Sequence, residues 1–155
     1  MIHDLKGRLT RDEVGKANLS QGRLLHQTLC ANCHTLYGDG AKIGPDLTGS
    51  GRANLDYLLE NMVEPSAVVS AEYRLSTVTM KDGREVAGIV KARTGRTLTL
   101  HTLTEEQTVE LSEVVKEDMS SQSMMPEGLL LALPSEQVRD LLGYLMHPAQ
   151  VSLPK

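Results

Sequence analysis

The apolar residues of this chain recur at helical spacing in three segments. Residues 20–30 carry a leucine stripe, with Ser20 as the predicted N-cap. Residues 54–63 repeat apolar side chains at i, i+3, i+4 and i+7, with Asn54 as the predicted cap. Residues 135–147 form the last stripe, which stops before a proline. The pattern therefore predicts three amphipathic helices that share one core.

The periodicity changes to an alternation of apolar and polar residues in the middle of the chain. Residues 81–84, Lys-Asp-Gly-Arg, are typical of a hairpin turn, because glycine accepts the backbone angles that tight turns need. We therefore expect a small antiparallel sheet inserted into a helical domain. The predicted strands are residues 73–80, 85–90, 97–103 and 108–111.

The two cysteines of the chain belong to one short motif, Cys30-Ala31-Asn32-Cys33-His34. Cys-x-x-Cys-His is the attachment sequence for c-type haem. Two thiols three residues apart lie on one face of a helical turn, where each can add to one haem vinyl group. His34 can then bind the iron as the proximal ligand. The sequence predicts one covalently attached haem c.

Three other interpretations of the motif are weaker. A disulfide across so short a loop is strained, and disulfide scaffolds contain more cysteines. A thioredoxin-like redox pair requires a βαβ context, which the pattern does not show. A structural zinc site requires a second pair of ligands at matching spacing, and none follows.

Two further residues are predicted to complete the iron site. The carbonyl of Pro45, in a glycine-rich loop after the motif, can accept the Nδ1–H of His34 and so fix the tautomer of the ligand. Met125 is the predicted sixth ligand, since thioether ligation suits an electron-transfer haem. Met124 is its immediate rival, because composition does not separate neighbouring methionines.

Composition excludes several functional classes. The 155 residues carry a net charge of −4 with both signs interspersed, so no basic footprint for nucleic acid is present. No apolar run is long enough to cross a bilayer, and the first residues do not resemble a secretory signal. Covalent haem attachment takes place outside the cytoplasm. We therefore expect a periplasmic or otherwise exported protein whose signal peptide is not present in this chain.

Several motifs together resemble a known family. They are Cys30-Ala31-Asn32-Cys33-His34, Gly44-Pro45-Asp46-Leu47, Lys81-Asp82-Gly83-Arg84-Glu85-Val86-Ala87-Gly88 and Met124-Met125-Pro126-Glu127-Gly128-Leu129. In this order they resemble the Pirellula/Verrucomicrobium-type, or planctomycete-type, haem-binding domain, a branch of class I cytochrome c. The resemblance spans nearly the whole chain.

The resemblance implies a fold class, mainly α with a β insertion. It combines a class I cytochrome c helical core with a small antiparallel sheet inserted before the distal methionine loop. The implied limits are an extension at 1–19, a cytochrome c domain at 20–147 with a β-subdomain at 73–112, and a tail at 148–155. Gly22 would lie where the first and last helices cross.

The resemblance also implies the ligand set, with His34 as proximal ligand, Pro45 as its carbonyl partner and the methionine before Pro126, Met125, as distal ligand. His26 departs from the family, which usually has an aromatic residue four positions before the first cysteine. We expect His26 to be a packed or hydrogen-bonded core histidine and not a functional switch.

These inferences predict an electron-transfer protein and not an enzyme. An iron with two protein ligands can gain or lose one electron with little rearrangement. We expect a monohaem carrier, or a domain of an exported oxidoreductase, that docks a separate or fused redox partner. The alternatives are a haem-based sensor whose distal methionine is displaced by a gas, and a peroxidase-like enzyme with an open distal side.

Overall fold

The computed structural model describes residues 2–155, which divide into two compact units. The first unit comprises the described residues up to Glu64 together with the segment from Glu127 to Lys155. The second unit comprises the segment from Pro65 to Pro126. No helix within residues 2–155 is long and apolar enough to span a membrane.

The first unit is helical, and its helices begin at side-chain caps where the sequence supplies them. Asn54 Oδ1 accepts hydrogen bonds from the backbone of Asp56 and Tyr57, so the predicted cap is confirmed. The cap of the preceding helix is Asn18 and not Ser20. The helices are α1 (Ile2–Arg8), α2 (Arg11–Val14), α3 (Leu19–Leu29), α4 (Leu55–Val63) and α5 (Ser135–Met146), with a 3₁₀ turn at Leu129–Ala132.

Helices α3 and α5 pack closely because Gly22 has no side chain. A Cβ atom at Gly22 would lie 2.0 Å from the carbonyl oxygen of Asp140 and 2.6 Å from Cβ of Tyr144. Asp140 Oδ1 also accepts the backbone N–H of Asn18, which ties the start of α3 to α5. The close backbone approach expected at Gly22 is therefore confirmed.

The second unit is a five-stranded antiparallel sheet. Its strands are β1 (Arg74–Met80), β2 (Glu85–Arg93), β3 (Thr97–His101), β4 (Glu106–Glu110) and β5 (Val114–Ser123). Their order in the sheet is β4-β3-β2-β1-β5. The predicted turn joins β1 to β2, with Gly83 at φ +89°. Short 3₁₀ turns precede β1 at Ala71–Tyr73 and β5 at Leu111–Glu113.

This sheet has its own hydrophobic core. The alternation in β1 and β3 places one set of side chains on a buried face. β2 is shared between both halves of the sheet: residues 85–88 pair with β1, and residues 89–93 pair with β3. The pairing with β3 contains a register shift between Val90 and Ala92. The core residues are Val78, Met80, Val86, Leu98 and Leu100.

The predicted fold class is wrong. The structure is 34 % helical with short helices, and 25 % of it lies in a five-stranded antiparallel sheet, so it is not a mainly α class I cytochrome c core with a small sheet inserted. The physical reason is that strand structure occupies much of residues 65–126, including a ten-residue fifth strand, β5, that the alternation did not reveal. The domain limits inferred from the resemblance stay predictions.

Candidate functional site

The Cys-x-x-Cys-His motif forms the turn that ends helix α3. Cys30 is the C-cap, and its backbone N–H donates to the carbonyl of His26 at 2.8 Å. The backbone N–H groups of Cys33 and His34 both donate to the carbonyl of Cys30, at 3.0 and 2.9 Å. The turn therefore places both thiols and the imidazole within five consecutive residues of one compact loop.

The two cysteines are free thiols in a partly apolar setting. Cys30 is 8 % exposed, and burial, with a contribution from nearby Cys33, raises the pKa of its thiol to about 12. Burial also raises the pKa of Cys33, which is half-buried. Catalytic redox cysteines instead have lowered pKa values, because the thiolate is the nucleophile. This environment therefore does not favour a redox-active dithiol.

The imidazole of His34 has a defined partner. Its Nδ1 lies 2.8 Å from the carbonyl oxygen of Pro45. A carbonyl can only accept, so Nδ1 carries a proton, and in the neutral ring Nε2 is then the nitrogen with the lone pair. The hydrogen bond expected between these two groups is confirmed, whereas their role beside an iron stays a prediction.

Gly44 explains how the loop comes so close to the ring. A Cβ atom at Gly44 would lie 2.7 Å from Cε1 and 2.9 Å from Nδ1 of His34. The backbone N–H of Gly44 donates to the carbonyl of Cys33 at 2.7 Å, which fixes the loop against the motif. No role was predicted for this glycine from the sequence, although its position directly before Pro45 was the signal that could have revealed it.

His26 is packed in the helical core, as expected. It is 3 % exposed, and its ring centroid lies 5.6 Å from that of Tyr144. Its Nε2 is buried and has no hydrogen-bond partner among residues 2–155. Burial, with a smaller effect from His34, lowers the pKa of His26 to about 4, so the ring is neutral at physiological pH.

Met125 belongs to the second unit, where it follows strand β5. Its side chain is half-buried, like that of Met124, and its backbone N–H donates to Ser123 Oγ at 3.1 Å. These contacts fix the backbone of the methionine segment and do not distinguish between the two side chains. The ligand role of Met125 stays a prediction.

The residues of the motif fit a covalently attached haem better than a bare metal ion. Within residues 2–155, no group of three or more His, Cys, Asp or Glu side chains could hold a metal ion. Two free thiols in one turn fit thioether attachment, and an imidazole held at Nδ1 fits ligation through Nε2. Cys30, Cys33 and His34 are therefore the residues that could hold the group.

Comparisons with known proteins do not assign this chain to a family. A scan against protein-family models matched none, and a search of curated proteins found no similar sequence. The resemblance to the planctomycete-type haem-binding domain stays a prediction.

Proposed function

We propose that this chain carries one haem c on Cys30, Cys33 and His34 and acts in one-electron transfer. The observation that supports the proposal most directly is the 2.8 Å contact between Nδ1 of His34 and the Pro45 carbonyl. Metal-binding histidines commonly donate their second ring N–H to a carbonyl or carboxylate. Here the histidine that donates in this way is the last residue of the Cys-x-x-Cys-His motif.

The residues of the chain have separate tasks in this proposal. Cys30 and Cys33 hold the porphyrin as thioethers, and His34 offers Nε2 to the iron. Pro45 fixes the tautomer of His34 and increases the basicity of the imidazole by accepting the Nδ1 proton. The bound haem supplies an iron that gains or loses one electron.

Met125 is proposed as the sixth ligand. Ligation by a thioether raises the reduction potential relative to two histidines and closes the iron to substrate. Ser123 Oγ fixes the backbone of this segment by accepting the N–H of Met125, and the choice of Met125 over Met124 rests on the family resemblance.

The cellular setting follows from the chemistry of attachment. Because haem c is attached outside the cytoplasm, we propose a periplasmic or otherwise exported protein. It would work as a carrier or as a domain of an exported oxidoreductase, and its partners would be proteins that donate and accept single electrons.

Optical spectra of the purified, haem-loaded protein test the proposal. We expect a low-spin spectrum with the weak near-infrared charge-transfer band of His/Met ligation in the oxidised state. The band should disappear in Met125→Ala and persist in Met124→Ala, the matched control. A high-spin spectrum, or ready binding of CO after reduction, would contradict electron transfer and favour a gas sensor with a labile methionine.

A further inference from the structure

Arg52 is a buried cation that joins two parts of the first unit. It is 8 % exposed, and its Nη1 donates to the carbonyls of Leu145 at 2.8 Å and His147 at 2.5 Å. These carbonyls lie at the C-terminal end of α5, where backbone acceptors lack partners within the helix and a positive charge is favourable. Arg52 therefore caps α5 from a distant part of the sequence.

The same guanidinium also binds the loop that carries Pro45. We call residues 44–48 the proline loop. Arg52 Nε donates to the carbonyl of Thr48, the last residue of this loop, at 3.2 Å. One planar group thus donates to the proline loop through Nε and to α5 through Nη1, a geometry that the single ammonium of lysine does not reproduce.

Tyr37 reinforces this connection. The guanidinium carbon of Arg52 lies 4.9 Å from the centroid of the Tyr37 ring, and the Tyr37 hydroxyl donates to the same carbonyl of His147. The backbone N–H of Tyr37 donates to Thr48 Oγ1 at 2.9 Å. Tyr37 has φ +51°, a left-handed conformation that costs energy for a residue with a side chain and persists only where surrounding contacts impose it.

We propose that Arg52 is a positioning residue that keeps the Pro45 carbonyl on Nδ1 of His34. Pro45 lies three residues before Thr48, so the far end of the proline loop is held by Arg52, while its near end is held by the bond from Gly44 to Cys33. The consequence for an iron rests on the proposed function, because the hydrogen bond from His34 to Pro45 determines the donor strength of the ligand.

The test follows the Nδ1 proton of His34 by ¹⁵N NMR in the full chain as purified. A reductant keeps the thiols of Cys30 and Cys33 free and any bound haem iron in the ferrous state. Arg52→Met should speed exchange of this proton roughly tenfold, because the far end of the proline loop loses its hydrogen bond to the guanidinium and the Pro45 carbonyl separates from Nδ1 more often. Arg52→Lys should give an intermediate rate. In the haem-loaded protein, Arg52→Met should also raise the reduction potential, because weaker donation by His34 stabilises the oxidised iron less.

Val138→Ala is the matched control, since Val138 is a buried residue at the opposite end of α5. It should lower thermal stability and leave the exchange rate of the His34 proton unchanged. If Arg52→Met lowers stability but its exchange rate equals that of Val138→Ala, Arg52 is only a helix cap and the proposal is overturned. The NMR signal does not require haem, so failure of haem attachment would refute the proposed function without deciding this inference.

Discussion

The backbone of Gly44 lies against the ring of His34, so closely that a Cβ atom would be 2.7 Å from Cε1. Gly44→Ala should therefore push the ring or the proline loop aside and weaken the hydrogen bond to Pro45. We expect less haem per protein after maturation and faster exchange of the His34 Nδ1 proton. Gly49→Ala is the control, because a Cβ atom there meets nothing within 4 Å. Equal haem content in the two variants would show that the contact has no role.

The contact between α3 and α5 should be equally sensitive to an added methyl group. Gly22→Ala places a Cβ atom 2.0 Å from the backbone oxygen of Asp140, which cannot yield without separating the helices. We expect a loss of about 2–4 kcal/mol in the free energy of unfolding, measured by urea denaturation.

Gly7→Ala is the matched variant in a helix, because a Cβ atom at Gly7 in α1 meets no atom of residues 2–155 within 4 Å. It should increase stability by about 0.5–1 kcal/mol, because alanine is the better helix former. If Gly22→Ala and Gly7→Ala destabilised the protein by similar amounts, the close packing described for α3 and α5 would be contradicted.

Burial of His26 predicts a pH dependence of stability. Its pKa is about 4 in the folded chain, against 6.5 for an unperturbed histidine, so the unfolded chain binds the proton more readily. The contribution of His26 to the free energy of unfolding is therefore fully present above pH 6.5 and is lost as the pH decreases from 6.5 towards 4. The total loss is on the order of 3 kcal/mol from this group.

Replacing the imidazole checks this assignment. His26→Phe should flatten the pH dependence of urea unfolding, because phenylalanine binds no proton in either the folded or the unfolded chain. His3→Gln removes an exposed histidine and should leave the pH dependence unchanged. An unaltered pH profile in His26→Phe would mean that other groups cause the acid destabilisation.

The sheet core predicts where the second unit is vulnerable. Leu98 in β3 is fully buried among Val78 and Leu100. Leu98→Ala should lower the free energy of unfolding by about 2–5 kcal/mol, because it leaves a cavity in the core. Val115→Thr on β5, where the side chain is 65 % exposed, should change stability by less than about 0.5 kcal/mol. If urea denaturation gave similar losses of unfolding free energy for Leu98→Ala and Val115→Thr, the assignment of Leu98 to the core would be contradicted.

The sequence predicted those elements whose local pattern and burial agree. Helix α4 has both a capping asparagine and a complete apolar stripe, and its start at Leu55 was predicted to the residue. The hairpin after β1 was predicted because its turn requires a positive φ, which glycine at position 83 adopts without strain. Local rules suffice where one short segment decides the conformation.

The elements that were missed lack such a pattern. Strand β5 lies at the edge of the sheet and is mostly exposed, so polar residues follow one another without alternation. Helix α1 contributes no buried residue to the core, and its segment was predicted only as an extension. Without β5, the sheet was underestimated and the mainly α fold class was wrong.

The candidate site shows the same division. The contact between His34 and Pro45 was predictable because the two residues are close in sequence and their chemistry is complementary. The role of Arg52 was not, because it depends on α5 carbonyls more than ninety residues away. Long-range hydrogen bonds to backbone atoms leave no residue pattern, since every residue offers a carbonyl.

Covalent attachment of haem can be read from the mass of the denatured protein, after expression in a host that attaches haem c to a control cytochrome. We expect a mass equal to the polypeptide plus one haem, and loss of that increment when Cys30 and Cys33 are both replaced by alanine. The unmodified polypeptide mass, obtained while the control cytochrome is fully loaded, would contradict haem attachment and the electron-transfer function proposed from it.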